Sequence, residues 1–184
     1  MKKPLILLLL LFSALTLTQC SWLFGKKDDE LELPPATQEG KGTLGFMLNG
    51  KLWVPKGFTG RSNSSLSYDP GLNGGLLTLS AYRIEGDEGQ YITIYCGGVT
   101  QIGAYALSRP NPPGGVVYFN SNTRTNTACD YGDGSIVSQQ GTLTITRFDL
   151  TKHIIAGRVE FTLIHPECDT IRATDGRFDM ELQP

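Results

Sequence analysis

The sequence predicts an all-β domain, an antiparallel β-sandwich of jelly-roll-like type, with a closed β-barrel as the alternative. Three observations predict it. Beyond residue 42, short β-branched and aromatic runs alternate with glycine, proline and asparagine, and no stretch sustains a 3.6-residue apolar period. Asn49-Gly50 stands between two apolar runs, and this dipeptide tolerates the positive φ that both central positions of a type I′ hairpin require. Near the end, Phe178, Met180 and Leu182 alternate with Arg177, Asp179 and Glu181, so that strand is expected to be covered on its apolar face only.

The hairpin sets a register. With a two-residue loop, Leu48 faces Lys51, Met47 faces Leu52 and Phe46 faces Trp53, and opposed residues project to the same side of a sheet. Trp53 therefore joins Leu44, Phe46 and Leu48 in an apolar stripe, which predicts a core tryptophan and not a sugar-stacking platform. Further strands are expected near 65–68, 76–84, 90–96, 116–120, 142–148, 153–164 and 177–182, joined by turns such as Asp69-Pro70-Gly71 and Asn73-Gly74-Gly75. Ser108 to Gly115, with three prolines, cannot supply a ladder of N–H donors and is expected to be an exposed loop.

The opening is of a different kind. Lys2 and Lys3 precede an apolar run from Leu5 to Leu17, too short for a membrane-spanning helix, which needs roughly 20 residues, and suited to a signal peptide. Leu17-Thr18-Gln19-Cys20 resembles the lipobox cut before an acylated cysteine, with Gln19 in place of the usual small residue. The reading is a signal peptide over 1–19, lipid on Cys20, and a flexible tether over 20–41 that begins the mature chain. Acyl chains of the palmitate type each contribute about 0.8 kcal/mol per buried CH₂, which makes the membrane a partner through the anchor. Within the tether, Lys27-Asp28-Asp29-Glu30 resembles the acidic export tag of surface lipoproteins, several residues further from the cysteine than in that pattern. The expected address is the outer membrane, with the domain periplasmic or surface-exposed.

The rest, 42–184, reads as one domain of about 140 residues, large enough for a sizeable core. Without Lys2 and Lys3 the 16 basic residues fall to 14 against 18 acidic ones, a net charge of −4 that offers no footprint for nucleic acid. Of the three cysteines left after Cys20, Cys96 shares the strand face of Ile92 and Ile94 and reads as a buried thiol. Cys129 and Cys168 sit in turn-like contexts, and a Cys129–Cys168 disulfide is expected in an oxidising compartment.

Four segments together resemble a family of Bacteroidetes-type β-sandwich lipoproteins of unknown function. They are Asn49-Gly50-Lys51-Leu52-Trp53, Gly141-Thr142-Leu143-Thr144-Ile145-Thr146, Ile155-Ala156-Gly157-Arg158-Val159-Glu160-Phe161 and Thr174-Asp175-Gly176-Arg177-Phe178-Asp179. The resemblance runs over nearly all of the mature domain. It implies the fold and the envelope address, and it brings no functional residues, because its motifs are strands and turns.

No catalytic constellation is legible, and no cofactor or metal is expected. His153 and His165 stand alone as polar strand-end residues, with no second histidine at ligand spacing. Asp130, Asp133 and Gly134 resemble an oxygen-rich calcium turn, but the spacing departs from the EF-hand and Asp-Gly is first a turn former. Seven tyrosines are scattered, of which Tyr91 and Tyr95 share the face opposite Ile92 and Ile94, either as cross-strand partners or as a ligand surface. The leading expectation is a non-enzymatic binding or accessory lipoprotein whose partner is a glycan, a peptide or a protein, through an unknown set of residues. The alternatives are a secreted hydrolase, with a carboxylate pair that only the fold can bring together, and a structural envelope component.

Overall fold

Asn49 and Gly50 both adopt positive φ, 48° and 78°, and close a hairpin between Thr43–Leu48 (β1) and Lys51–Trp53 (β2). This computed structural model describes residues 32–108, 114–123, 126–132 and 137–183. The segment expected to be a signal peptide, Cys20, most of the expected tether, residues 109–113 and the Asp133-Gly134 pair lie outside the described residues. The register is the expected one, Phe46 opposite Trp53, Met47 opposite Leu52 and Leu48 opposite Lys51. Phe46 and Trp53 stack nearly parallel, centroids 4.6 Å apart, and both are buried.

Nine more strands follow: Ser64–Asp69 (β3), Leu76–Glu85 (β4), Glu88–Cys96 (β5), Gly103–Ala106 (β6), Gly115–Thr123 (β7), Asn126–Asp130 (β8), Ser138–Asp149 (β9), Ile154–Ile164 (β10) and Ile171–Glu181 (β11). They form a six-stranded sheet in the order β2-β1-β11-β10-β9-β6 and a five-stranded sheet in the order β3-β4-β5-β7-β8. Pairing within both is antiparallel, and the sheets do not close on each other, so the fold is a β-sandwich and not a barrel. β6 and β8 are absent from the sequence expectation for a physical reason. Both are short edge strands, paired on one side, where little apolar alternation is needed to hold them.

The core lies between the sheets. Leu77, Leu79 and Ala81 of β4, Ile92, Ile94 and Cys96 of β5, and Val117 and Phe119 of β7 face Leu143 and Ile145 of β9, Ile155, Val159, Phe161 and Leu163 of β10, and Phe178 and Met180 of β11. Polar groups span the interior as well. The Trp53 indole N–H donates to Gln90 Oε1 at 2.7 Å, joining β2 to β5. The buried Gln139 amide of β9 accepts from Val117 N at 2.8 Å and donates to the Gly115 carbonyl at 3.1 Å. The Cys129–Cys168 disulfide ties β8 to the connection between β10 and β11, and beside it the buried Tyr131 hydroxyl donates to the Asp169 carbonyl. Cys129 lies within β8, one residue before its end, and the turn begins only at Tyr131.

Two features of the last strand depart from expectation. Thr174-Asp175-Gly176, which precedes the strand expected near 177–182, is an irregularity inside a longer strand, with Asp175 left-handed at φ 56°. Register shifts opposite it on β1 and β10 mark a bulge. Asp179, placed by alternation on the solvent side, is 1% exposed because residues 37–41 cover it. Its carboxylate accepts from Thr37 Oγ1 at 2.6 Å and from the backbone N–H groups of Glu39, Gly40 and Lys41 at 2.9, 2.7 and 3.3 Å. Arg147 donates to the Gln38 carbonyl, and Pro34 sits against Gly45. The stretch from Pro34 to Lys41, assigned by composition to the tether, therefore lies on the outer face of the six-stranded sheet.

Candidate functional site

Strand alternation that points one set of side chains inward must point the other outward, and the two outer faces differ in chemistry. On the six-stranded sheet the outward positions include Arg147 and Asp149 of β9, Arg158 and Glu160 of β10, and Arg172, Arg177 and Glu181 of β11. A shallow groove of about 520 Å³ there is bounded by Glu160 and Arg172. On the five-stranded sheet the outward positions are Ser65 and Ser67, then Thr78, Ser80 and Tyr82, then Tyr91, Thr93 and Tyr95, then Val116, Tyr118 and Asn120. Among its described strand positions the charges on that face are the carboxylates of Asp69 and Asp130, one on each edge strand.

Register brings the tyrosines together. Tyr82 is directly opposite Tyr91, with ring centroids 6.2 Å apart. Tyr95 and Tyr118 are diagonal neighbours on β5 and β7, meeting edge to face at 5.6 Å. Tyr91, Tyr95 and Tyr118 are 42%, 41% and 41% exposed. Tyr82 has a different role. Its hydroxyl accepts from Thr59 N and Thr59 Oγ1 and donates to the Arg61 carbonyl, so it pins the 57–61 loop. Between the two pairs lie hydroxyls, with Ser80 donating to Thr93 at 3.2 Å. The face thus offers flat apolar rings spaced by groups that donate and accept hydrogen bonds.

Beyond Tyr95 the face sinks into a cleft of about 450 Å³, bordered by Leu76, Val116 and the Tyr95 ring, by Gly97 and Gly98, and by Asn73. Two turns make it. Asn73, Gly74 and Gly75 are all left-handed, as is Gly98, and a side chain at Gly75 would collide with the Val99 carbonyl and the Tyr68 hydroxyl. The turns are tied by Gly98 N to the Asn73 carbonyl and Val99 N to the Gly75 carbonyl, both 3.0 Å, and by the Tyr68 hydroxyl to the Val99 carbonyl at 2.7 Å.

Other candidates are weaker. Glu85 and Glu88 are opposed across the β4–β5 hairpin and border a cleft of about 300 Å³ with Trp53 and Arg83. Hydrogen bonds from Lys56 and Arg83 hold the Glu85 carboxyl below the ordinary carboxylate range, whereas a general acid needs a raised one. Trp53, though it borders this cleft, is 2% exposed and is a core residue. His153 lies not on a strand but in the turn before β10, exposed, with φ 56°. His165 accepts from Glu167 N at 3.0 Å and packs edge to face on Tyr131, a structural placement. Among the described residues no three of His, Cys, Asp and Glu converge as metal ligands. Cys96 is a free, fully buried thiol that burial pushes up to about 11.

The Tyr91–Tyr95 face was legible from parity, whereas Tyr118 and the cleft come from β7 lying beside β5. Comparison with protein-family models, with curated proteins and with solved structures finds no match.

Proposed function

We propose that this protein is a lipid-anchored component of the bacterial outer envelope, of the kind the sequence resembles, and that its sandwich is a non-enzymatic module binding neutral glycans. The binding surface is the outer face of the five-stranded sheet. The observation that carries the reading is the cluster of Tyr91, Tyr95 and Tyr118 on one exposed, charge-poor face. A sugar ring presents C–H groups on its faces and hydroxyls around its rim. Aromatic rings stack on the first, and Ser, Thr, Tyr and Asn side chains bond the second. No described strand position of that face carries lysine or arginine, which disfavours anionic polymers. The anchor rests on the signal-like segment and Cys20, and the Glu85 carboxyl, held low by Lys56 and Arg83, supports a binding role over hydrolysis.

Affinity electrophoresis of the full mature chain in gels containing neutral polysaccharides tests the binding surface. Retardation lost in Tyr95→Ala/Tyr118→Ala and kept in Arg158→Ala is expected, and equal behaviour of the two variants refutes it. For the anchor, Cys20→Ala is expected to abolish radioactive fatty-acid incorporation and release the protein from the membrane fraction. Continued labelling of the mutant refutes that half.

A further inference from the structure

Resting on the glycan reading, we infer that the cleft beside Tyr95 is an end subsite for a sugar carrying a methyl-bearing substituent, an N-acetyl group or a 6-deoxy carbon, and that it gives the tyrosine face its selectivity. Its volume, about 450 Å³, lies within the range of small-ligand sites. Its position is continuous with the stacking surface. Tyr95 belongs to both, and Val116 is the directly paired neighbour of Tyr95 on β7. A glycan lying along the Tyr91 to Tyr95 direction therefore runs off the flat sheet into a recess.

The chemistry of the recess differs from that of the face. Where the face alternates rings with hydroxyls, the cleft presents the aliphatic side chains of Leu76 and Val116, and none of the described residues that border it is charged. Such a floor leaves a sugar hydroxyl without a partner and welcomes a methyl group. At the border stands Asn73, whose amide can both donate to and accept from the polar part of the same substituent. The hollow is pre-formed. Gly98 adds no side chain to it, and a Cβ built there meets nothing within 4 Å, whereas one built on Gly97 would press on Asn73. Asn73 holds a left-handed conformation that a residue with a Cβ adopts at a cost, and the hydrogen bonds between the two turns keep it there. A ligand thus finds the walls already ordered.

The test is calorimetric titration of the full mature chain with three tetrasaccharide-sized probes: chitotetraose, a fucose-terminated oligosaccharide, and cellotetraose, which has neither substituent. At least one methyl-bearing probe is expected to bind about tenfold more tightly than cellotetraose, the discrimination one methyl group gives in an apolar recess. The arm that prevails tells the acetamido from the 6-deoxy sugar. Leu76→Thr, which shortens the floor side chain and adds a hydroxyl, combined with Val116→Thr, which keeps the shape and adds a hydroxyl, should erase that preference, so that the methyl-bearing probes bind no more tightly than cellotetraose. Tyr91→Ala, on the far side of the face, should weaken all probes alike. Equal binding of the three probes, or a preference that survives the double threonine variant, overturns the end subsite while leaving the glycan surface standing. Failure of every glycan, or binding of an unglycosylated peptide instead, overturns both.

Discussion

The two outer faces of the sandwich are built on the same backbone geometry and have opposite contents. The six-stranded sheet turns arginines, glutamates and aspartates outward, and at its β1–β11 corner it is covered by residues 34–41. The five-stranded sheet turns out tyrosines and hydroxyls and leaves three of the rings about two-fifths exposed. A sheet needs only one apolar face to fold, so the other is free to vary. Scattered charges meet water. A cluster of exposed rings is the feature on which the proposed glycan surface rests.

Substitutions can break this contrast in a graded way. The largest effect is expected in the interior that both sheets share. Trp53→Ala removes the stack on Phe46 and the bond to Gln90, and should lower stability by about 3–5 kcal/mol in denaturant titration. With Trp22 replaced, native Trp53 fluorescence should be blue-shifted. A parent-like melt with lost glycan binding would make Trp53 part of the site instead.

Next comes the disulfide, whose partners are 39 residues apart. Replacing Cys129 and Cys168 with serine should cost about 4 kcal/mol on the chain-entropy model. Peptide mapping without reduction should find the Cys129–Cys168 link, and Cys96 should react with iodoacetamide only after unfolding. Rapid native labelling of Cys96 would contradict its burial.

On the covered corner, Asp179→Asn should cost about 2 kcal/mol, the scale of hydrogen bonds to a charged acceptor. Burial alone would raise the Asp179 carboxyl, but the Thr37 hydroxyl and three backbone N–H groups outweigh it and hold it below its ordinary 3.8. Its contribution is therefore complete above that unfolded value and is lost as pH falls through the lower folded one. The asparagine variant should lack this acid-side loss in melts compared from pH 6 downward. An identical pH profile in the two proteins would mean that the clamp does not carry it.

The smallest stability effect belongs to the face proposed to work. Tyr95→Ala/Tyr118→Ala should change stability by about 1 kcal/mol at most, because the rings are half in water, while glycan affinity falls about tenfold or more. The reverse pattern, a large loss of stability with binding intact, would make the tyrosines cross-strand braces.

Local pattern by itself determined a good deal here. Asn49-Gly50 specified the hairpin and, through its register, the burial of Trp53. Parity on β5 put Cys96 inside and Tyr91 with Tyr95 outside, and with Cys96 buried the parity left Cys129 and Cys168 to pair. These succeed because the period of a strand is two and a tight turn leaves no freedom in which residues oppose each other. Only the tertiary structure decided what lies beside or over a strand. Alternation put Asp179 in water, yet Thr37, 142 positions earlier, covers it. Likewise Tyr118 joins Tyr95, and Val116 completes the cleft, only because β7 returns to pair with β5 after β6 has crossed to the other sheet. The period of a strand says which way a side chain points and nothing about which distant segment arrives to meet it.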